Sequence, residues 1–127
     1  MSKAKQFDAF TKSYIDALLW AELDNDGMPL DHNYKIDDVA TATLDKIVED
    51  CCRFQAENAA DIESGFGIPD CTKEEIAGFN FLLTRNHHGC GFWDGSYPEP
   101  MGKRLTEAAH AYGEVNLHVG DDGKIYG

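Results

Sequence analysis

The sequence is short of positive charge. Its 127 residues carry 11 Lys and Arg against 23 Asp and Glu, a formal net charge of −12. Proteins bind a polyanion largely by replacing its counter-ions with Lys and Arg, so this balance argues against direct contact with nucleic acid. An anionic membrane surface is disfavoured for the same reason. The one adjacent basic pair, Lys103–Arg104, is too small to make a basic patch. Long apolar runs are missing as well. Nothing approaches the ~20 residues that a spanning helix needs, and Met1–Gln6 is polar and basic with no apolar run behind it, so no secretory leader is expected. The four cysteines, Cys51, Cys52, Cys71 and Cys90, form no C-x-x-C pair. Without a secretory context they read as reduced thiols of a cytoplasmic protein, and the adjacent Cys51 and Cys52 point to different faces of one helix. There is no Walker loop, no G-x-G-x-x-G, no G-x-S-x-G and no H-E-x-x-H, so no nucleotide, dinucleotide or zinc-peptidase signature is present and no cofactor is expected.

What is present is enough to fold. Hydrophobic residues make up 43% of the chain, which excludes a disordered composition. The length suits one domain, residues 1–127, burying roughly two-thirds of the surface that the unfolded chain exposes. Phe7, Phe10, Tyr14, Ala17, Leu18 and Ala21 recur at helical spacing, and Asp24-Asn25-Asp26-Gly27 stops the helix. Asp37 or Asp38 is placed to cap a second helix. Its stripe of Leu44, Ile47, Val48, Cys51, Phe54 and Gln55 continues to Ile62 and ends at Gly65 and Gly67. Thr72-Lys73-Glu74-Glu75 has the spacing of a capping box, opening a short third helix with Ile76, Phe79 and Leu83 inward. A fourth helix runs from Met101 to Tyr112 with Gly113 as its stop. Val115, Leu117 and Val119 then alternate, and Gly120-Asp121-Asp122-Gly123 is a hairpin turn before Lys124-Ile125-Tyr126. The expected fold is α+β: about four helices packed with a C-terminal β-hairpin, which is too small to stand alone.

The charge is uneven. Residues 1–70 hold 15 acidic and 6 basic side chains, residues 71–127 hold 8 and 5. A carboxylate-rich helical face made by Asp45, Glu49, Asp50, Glu57 and Asp61 is therefore expected. Asp24, Asp26 and Asp31 do not make a calcium loop, because Pro29 and Lys35 stand where an EF-hand needs Gly and Glu. The second candidate region, residues 85–100, packs three glycines, two prolines and two histidines around several aromatics. His88 and Cys90, with Cys71 or His87, are zinc-ligand types, but the spacing is not a recognised one. A Cys90–His88 nucleophile pair is chemically conceivable. The structural reading has Gly89 and Gly91 turning the chain while Phe92 and Trp93 plug the core. The binding reading makes exposed Arg85, Trp93 and Tyr97 interface anchors.

The stretch Leu83-Thr84-Arg85-Asn86-His87-His88-Gly89-Cys90-Gly91-Phe92-Trp93-Asp94, the ending from Tyr112 to Tyr126, the opening from Phe7 to Trp20, Pro29-Leu30-Asp31 and Tyr34-Lys35-Ile36-Asp37-Asp38 together resemble a family of small acidic proteins encoded by tailed bacteriophages and related mobile elements. The resemblance covers most of the chain, and the family has no assigned activity. Its members read N-G-H-G-A-G-F-W-D in the central loop. His87 and Cys90 depart from that pattern, so a metal or thiol role resting on them would be peculiar to this chain. Arg85, Asn86, His88, Phe92, Trp93 and Asp94 match, which implies a shared role, structural or binding, for them.

The expectation is a non-enzymatic accessory protein of phage type, working in the host cytoplasm through a protein partner with a basic or nucleic-acid-binding surface. Its sharpest form is an acidic, nucleic-acid-mimicking inhibitor of a host nucleic-acid-handling or defence protein. The candidate binding residues are Arg85, Asn86, His88, Trp93, Asp94 and Tyr97. Homo-oligomerisation is compatible with the same composition. The alternative is a small enzyme or metal-binding protein using His88, Cys90 and Asp94.

Overall fold

The computed structural model describes residues 7–24, 26–65, 71–87, 91–92 and 97–127. The expected α+β architecture is present. Among the described residues five helices, α1 (Ala9–Ala21), α2 (Thr41–Glu57), α3 (Ala59–Glu63), α4 (Lys73–Arg85) and α5 (Met101–His110), precede a two-stranded antiparallel hairpin of β1 (His118–Val119) and β2 (Ile125–Tyr126). Two 3₁₀ turns, Leu30–His32 and Ile36–Asp38, link α1 to α2.

α1 starts at an Asp8 cap, whose carboxylate accepts the Thr11 N–H at 2.8 Å. Partial burial alone would raise the Asp8 carboxyl, but hydrogen bonds from Thr11 and Gln55 outweigh it and hold the group below its ordinary value. The Thr72 capping box of α4 is present in both directions, with Glu75 N–H donating to Thr72 Oγ1 at 3.1 Å and Thr72 N–H to Glu75 Oε1 at 2.9 Å. Gly113 ends the α5 segment with φ +75°, a conformation open to Gly at little cost.

The expected bounds of the second helix need correction at both ends. Asp38 does not cap α2. Its carboxylate accepts the Lys35 N–H at 2.8 Å and closes the preceding 3₁₀ turn, so α2 starts three residues later without a side-chain cap. The stripe running on to Ile62 is also not one helix. Asn58 leaves helical geometry and its side-chain amide donates to Phe54 O at 2.9 Å, which ends α2 and lets α3 set off anew.

An aromatic stack lies at the centre. Phe54 and Phe81 lie face to face with centroids 4.1 Å apart, flanked by Phe10, Phe92 and the edge of Tyr112. Phe92 is fully buried, so the glycine-rich loop does plug the core there, and Tyr97 packs edge-on against it at 5.3 Å. The hairpin is anchored at the α2 entrance, where the Ala40 N–H donates to Ile125 O at 2.8 Å beside a parallel bridge between Val39 and Ile125.

α4 is the central helix, and α1 lies most extensively against it. The contact depends on Gly78, because a Cβ there would sit 2.1 Å from Phe10 O. That close approach turns Ala77, Phe81, Leu82 and Thr84 inward and leaves Phe79, expected in the core, 38% exposed. Gly78→Ala sets a helix-propensity gain of about 1 kcal/mol against an overpacking cost of about 1–3 kcal/mol or more. The clash is with backbone, which cannot swing aside, so the variant is expected to be less stable, read as a lower urea midpoint at unchanged m-value. Equal or greater stability would mean that α1 does not sit this close.

Candidate functional site

The residues that sequence reasoning singled out separate into two groups of different character. Arg85 ends α4 and is buried, at 5% exposure, rather than exposed as an interface anchor would be. Its guanidinium donates from Nε to Gly113 O at 2.8 Å, from Nη2 to Tyr112 O at 3.0 Å, and from Nη1 to Tyr14 Oη at 3.0 Å and Asp50 Oδ2 at 3.2 Å. Its planar faces lie near the Phe81 and Tyr112 rings, 5.4 and 5.6 Å from the centroids. Arg is suited to this because its fork addresses several acceptors in one plane. Two acceptors are backbone carbonyls of the turn that follows α5, so the cation also ties that turn to the end of α4.

Asn86 continues the same task. Its amide donates to Val115 O and accepts from Val115 N–H, both at 2.8 Å, as a neighbouring strand would. Thr84 Oγ1 accepts the buried Phe92 N–H at 3.1 Å. Tyr97 is also buried, at 5% exposure, against the expectation that it stands exposed. Arg85, Asn86 and Phe92 are therefore joints of the fold. His88, Cys90, Trp93 and Asp94 lie outside the described residues.

The rings near this joint respond to burial. Desolvation, with the Glu57 carboxylate beside it, pushes the Tyr112 phenol up to about 12, and Tyr112 donates to Glu57 Oε1 at 3.2 Å. Burial likewise raises the Tyr14 phenol. The Cys51 thiol, fully buried in the core, is raised by burial too and stays protonated, which removes it as a nucleophile. Cys52 is exposed, as the two-faces expectation required.

The expected acidic helical face is not a bare row of carboxylates. Asp50 is engaged by Arg85. Glu57 accepts from Tyr112 and faces Arg53 at 3.8 Å. Asp61 holds Arg104 through two bonds of 2.6 and 2.9 Å, tying α3 to α5, and that hydrogen bonding keeps its carboxyl below the ordinary value. Asp45 and Glu49 stand exposed on α2 among Lys46 and Arg53. The expected face is corrected to a mixed surface, because three of its five acids serve to join elements.

The largest excess of acidic over basic residues lies elsewhere in the sequence. Residues 22–40 carry six acidic side chains and one lysine, and residues 113–127 carry three and one, together more than half of the net −12. These two segments meet through Ala40–Ile125 and through the Leu117 N–H, which donates to Glu22 Oε1 at 3.3 Å. Sequence reasoning could have found this end by charge density, but not that the two segments adjoin.

No protein-family model matches the chain, and no curated protein or solved structure matches it.

Removing one partner of a buried ion pair costs ~3–5 kcal/mol; Asp50 is 33% exposed and can turn to water, so Arg85→Met should cost roughly 2–4 kcal/mol in urea unfolding. Arg85→Lys should recover less than half of that, and Asn86→Ala should cost about 1–2 kcal/mol with faster amide exchange at Val115. Near-wild-type stability of Arg85→Met would refute the joint. The lowered carboxyl of Asp61 contributes stability that is fully present above the ordinary value near 3.8 and is lost as pH falls through the lower folded value. The stability gap between wild type and Asp61→Asn should therefore close on acidification, and a constant gap would contradict the pairing.

Proposed function

We propose that the chain is a non-enzymatic protein-binding protein whose partner presents a basic surface. The observation that carries this reading is the concentration of charge at one end, where residues 22–40 and 113–127 adjoin. Several carboxylates there are held in place. Asp24 accepts the N–H groups of Asp26 and Met28 at 2.9 and 3.0 Å, and Asp122 accepts the Lys124 N–H and the Tyr126 hydroxyl. The Tyr126 hydrogen bond, with the Lys124 N–H, holds the Asp122 carboxyl below its ordinary value. Anions already fixed by the fold lose little entropy on meeting cations, which favours association with a complementary surface.

The same array suits the sharper form of the reading, in which the acidic end occupies a groove built for a phosphate backbone on a host nucleic-acid-handling or defence protein. The resemblance to phage-encoded acidic proteins supports that setting. The enzyme or metal alternative rests on His88, Cys90 and Asp94, which lie outside the described residues. Among the described residues no group of three His, Cys, Asp or Glu side chains is placed to hold a metal ion.

Binding to a Lys- and Arg-rich peptide without apolar residues tests the charge reading. The Debye length falls from about 10 Å at 0.1 M salt to about 3 Å at 1 M, so affinity should drop about tenfold or more across that range. Neutralising Asp26, Asp31 and Asp37 to Asn should weaken binding, whereas Asp45→Asn with Glu49→Gln should change it little. Affinity insensitive to salt, or lost only with the α2 acids, would overturn the assignment to this end.

A further inference from the structure

The close approach of α1 and α4 on the core side leaves a groove between them on the outer side. Its volume is about 260 Å³, and Ser13, Cys71, Glu75, Ile76, Phe79 and Asn80 line it. The lining is almost wholly apolar. Ser13 donates from Oγ to Glu75 O at 2.6 Å, so this lining hydroxyl is already satisfied. At one end the exposed Trp20 indole, 55% exposed, packs beside the Phe79 ring with centroids 6.2 Å apart. Leu23 and Met28, 57% and 39% exposed, follow Trp20 in the turn that leads into the acidic end.

Large apolar side chains left in water beside an apolar groove are the composition of an interface core, and the charged residues around them form its rim. Here the rim is anionic. Glu75 lines the groove from the first turn of α4, and Asp24 and Asp26 follow α1, while Lys73 in the same turn of α4 is bound to Glu63 at 3.1 Å. Lys12, next to Ser13 on α1, is already bound to Asp16 at 3.0 Å. A second copy of a chain carrying −12 would meet like charge at that rim. The complementary occupant is a helix with apolar residues along one face and Lys or Arg on its flanks, laid between α1 and α4 as a third helix.

We propose that the α1–α4 groove, with Trp20 and Phe79 as anchors, docks a basic amphipathic helix of the partner. This rests on the charge reading above and adds to it a shape requirement that charge alone does not impose. The probes are three synthetic peptides titrated calorimetrically into the full chain. One has Leu at i, i+3, i+4 and i+7 with Lys elsewhere, one has the same composition scrambled, and one has Glu in place of Lys. The ordered Lys peptide is expected to bind about tenfold more tightly than the scrambled one, and Trp20→Ala or Phe79→Ala to remove most of that advantage, each being a truncation of hot-spot size. Both side chains are exposed, and a urea midpoint near wild type confirms that the variants fold. Equal binding of ordered and scrambled Lys peptides overturns the groove while leaving the charge reading intact. Equal binding of the Glu and Lys peptides overturns both. A dimer in sedimentation that Trp20→Ala converts to monomer would give the face to a second copy and overturn the proposal.

Discussion

The guanidinium of Arg85 is a charge withdrawn from water, and burying an ion without partners costs several kcal/mol. Its acceptors come from α1, α2 and the chain after α5: a phenol, a carboxylate and two carbonyls. Each partner lies at least 27 residues away in sequence. The cation therefore tolerates burial only when these elements have already converged, which makes it a condition on the fold as much as a bond within it. Asn86, next in sequence, then fixes Val115 and with it the approach to the hairpin.

The second constraint is the missing side chain at Gly78. It lets the α1 backbone come against α4, and the rotation of α4 that this imposes decides which apolar residues turn inward. Phe81 joins the Phe54 stack, and Phe79 is left facing water beside Trp20. The core and the exposed apolar groove are thus two sides of one packing decision. Phe79 and Trp20 are left exposed because the core took the other aromatic.

Much of this was legible in the sequence where the cause is local. The Thr72 capping box, the Gly113 stop, the Asp24–Gly27 turn and the terminal hairpin each rest on a few adjacent residues, and each is present. What was not legible depends on distant partners. Lys73–Arg85 carries apolar residues on more than one face, so periodicity alone could not choose Phe81 over Phe79; the close approach at Gly78 chose. A cation in the last turn of a helix reads as surface, and only the convergence of Tyr112, Gly113 and Asp50 buries Arg85. Asp50, Glu57 and Asp61 looked like a free anionic face because Arg85, Tyr112 and Arg104 are 35, 55 and 43 residues away.

The arginine–asparagine motif accordingly serves the fold, while the proposed binding surface is the acidic end and the apolar groove beside it. Hydrogen-exchange mapping of the full chain with a bound basic amphipathic helix tests that division most directly. The account predicts new protection in residues 12–31 and 71–80, with the amides around Arg85 and Asn86 as protected as before. Protection confined to residues 85–97, with none in α1 or the turn that follows it, would contradict it.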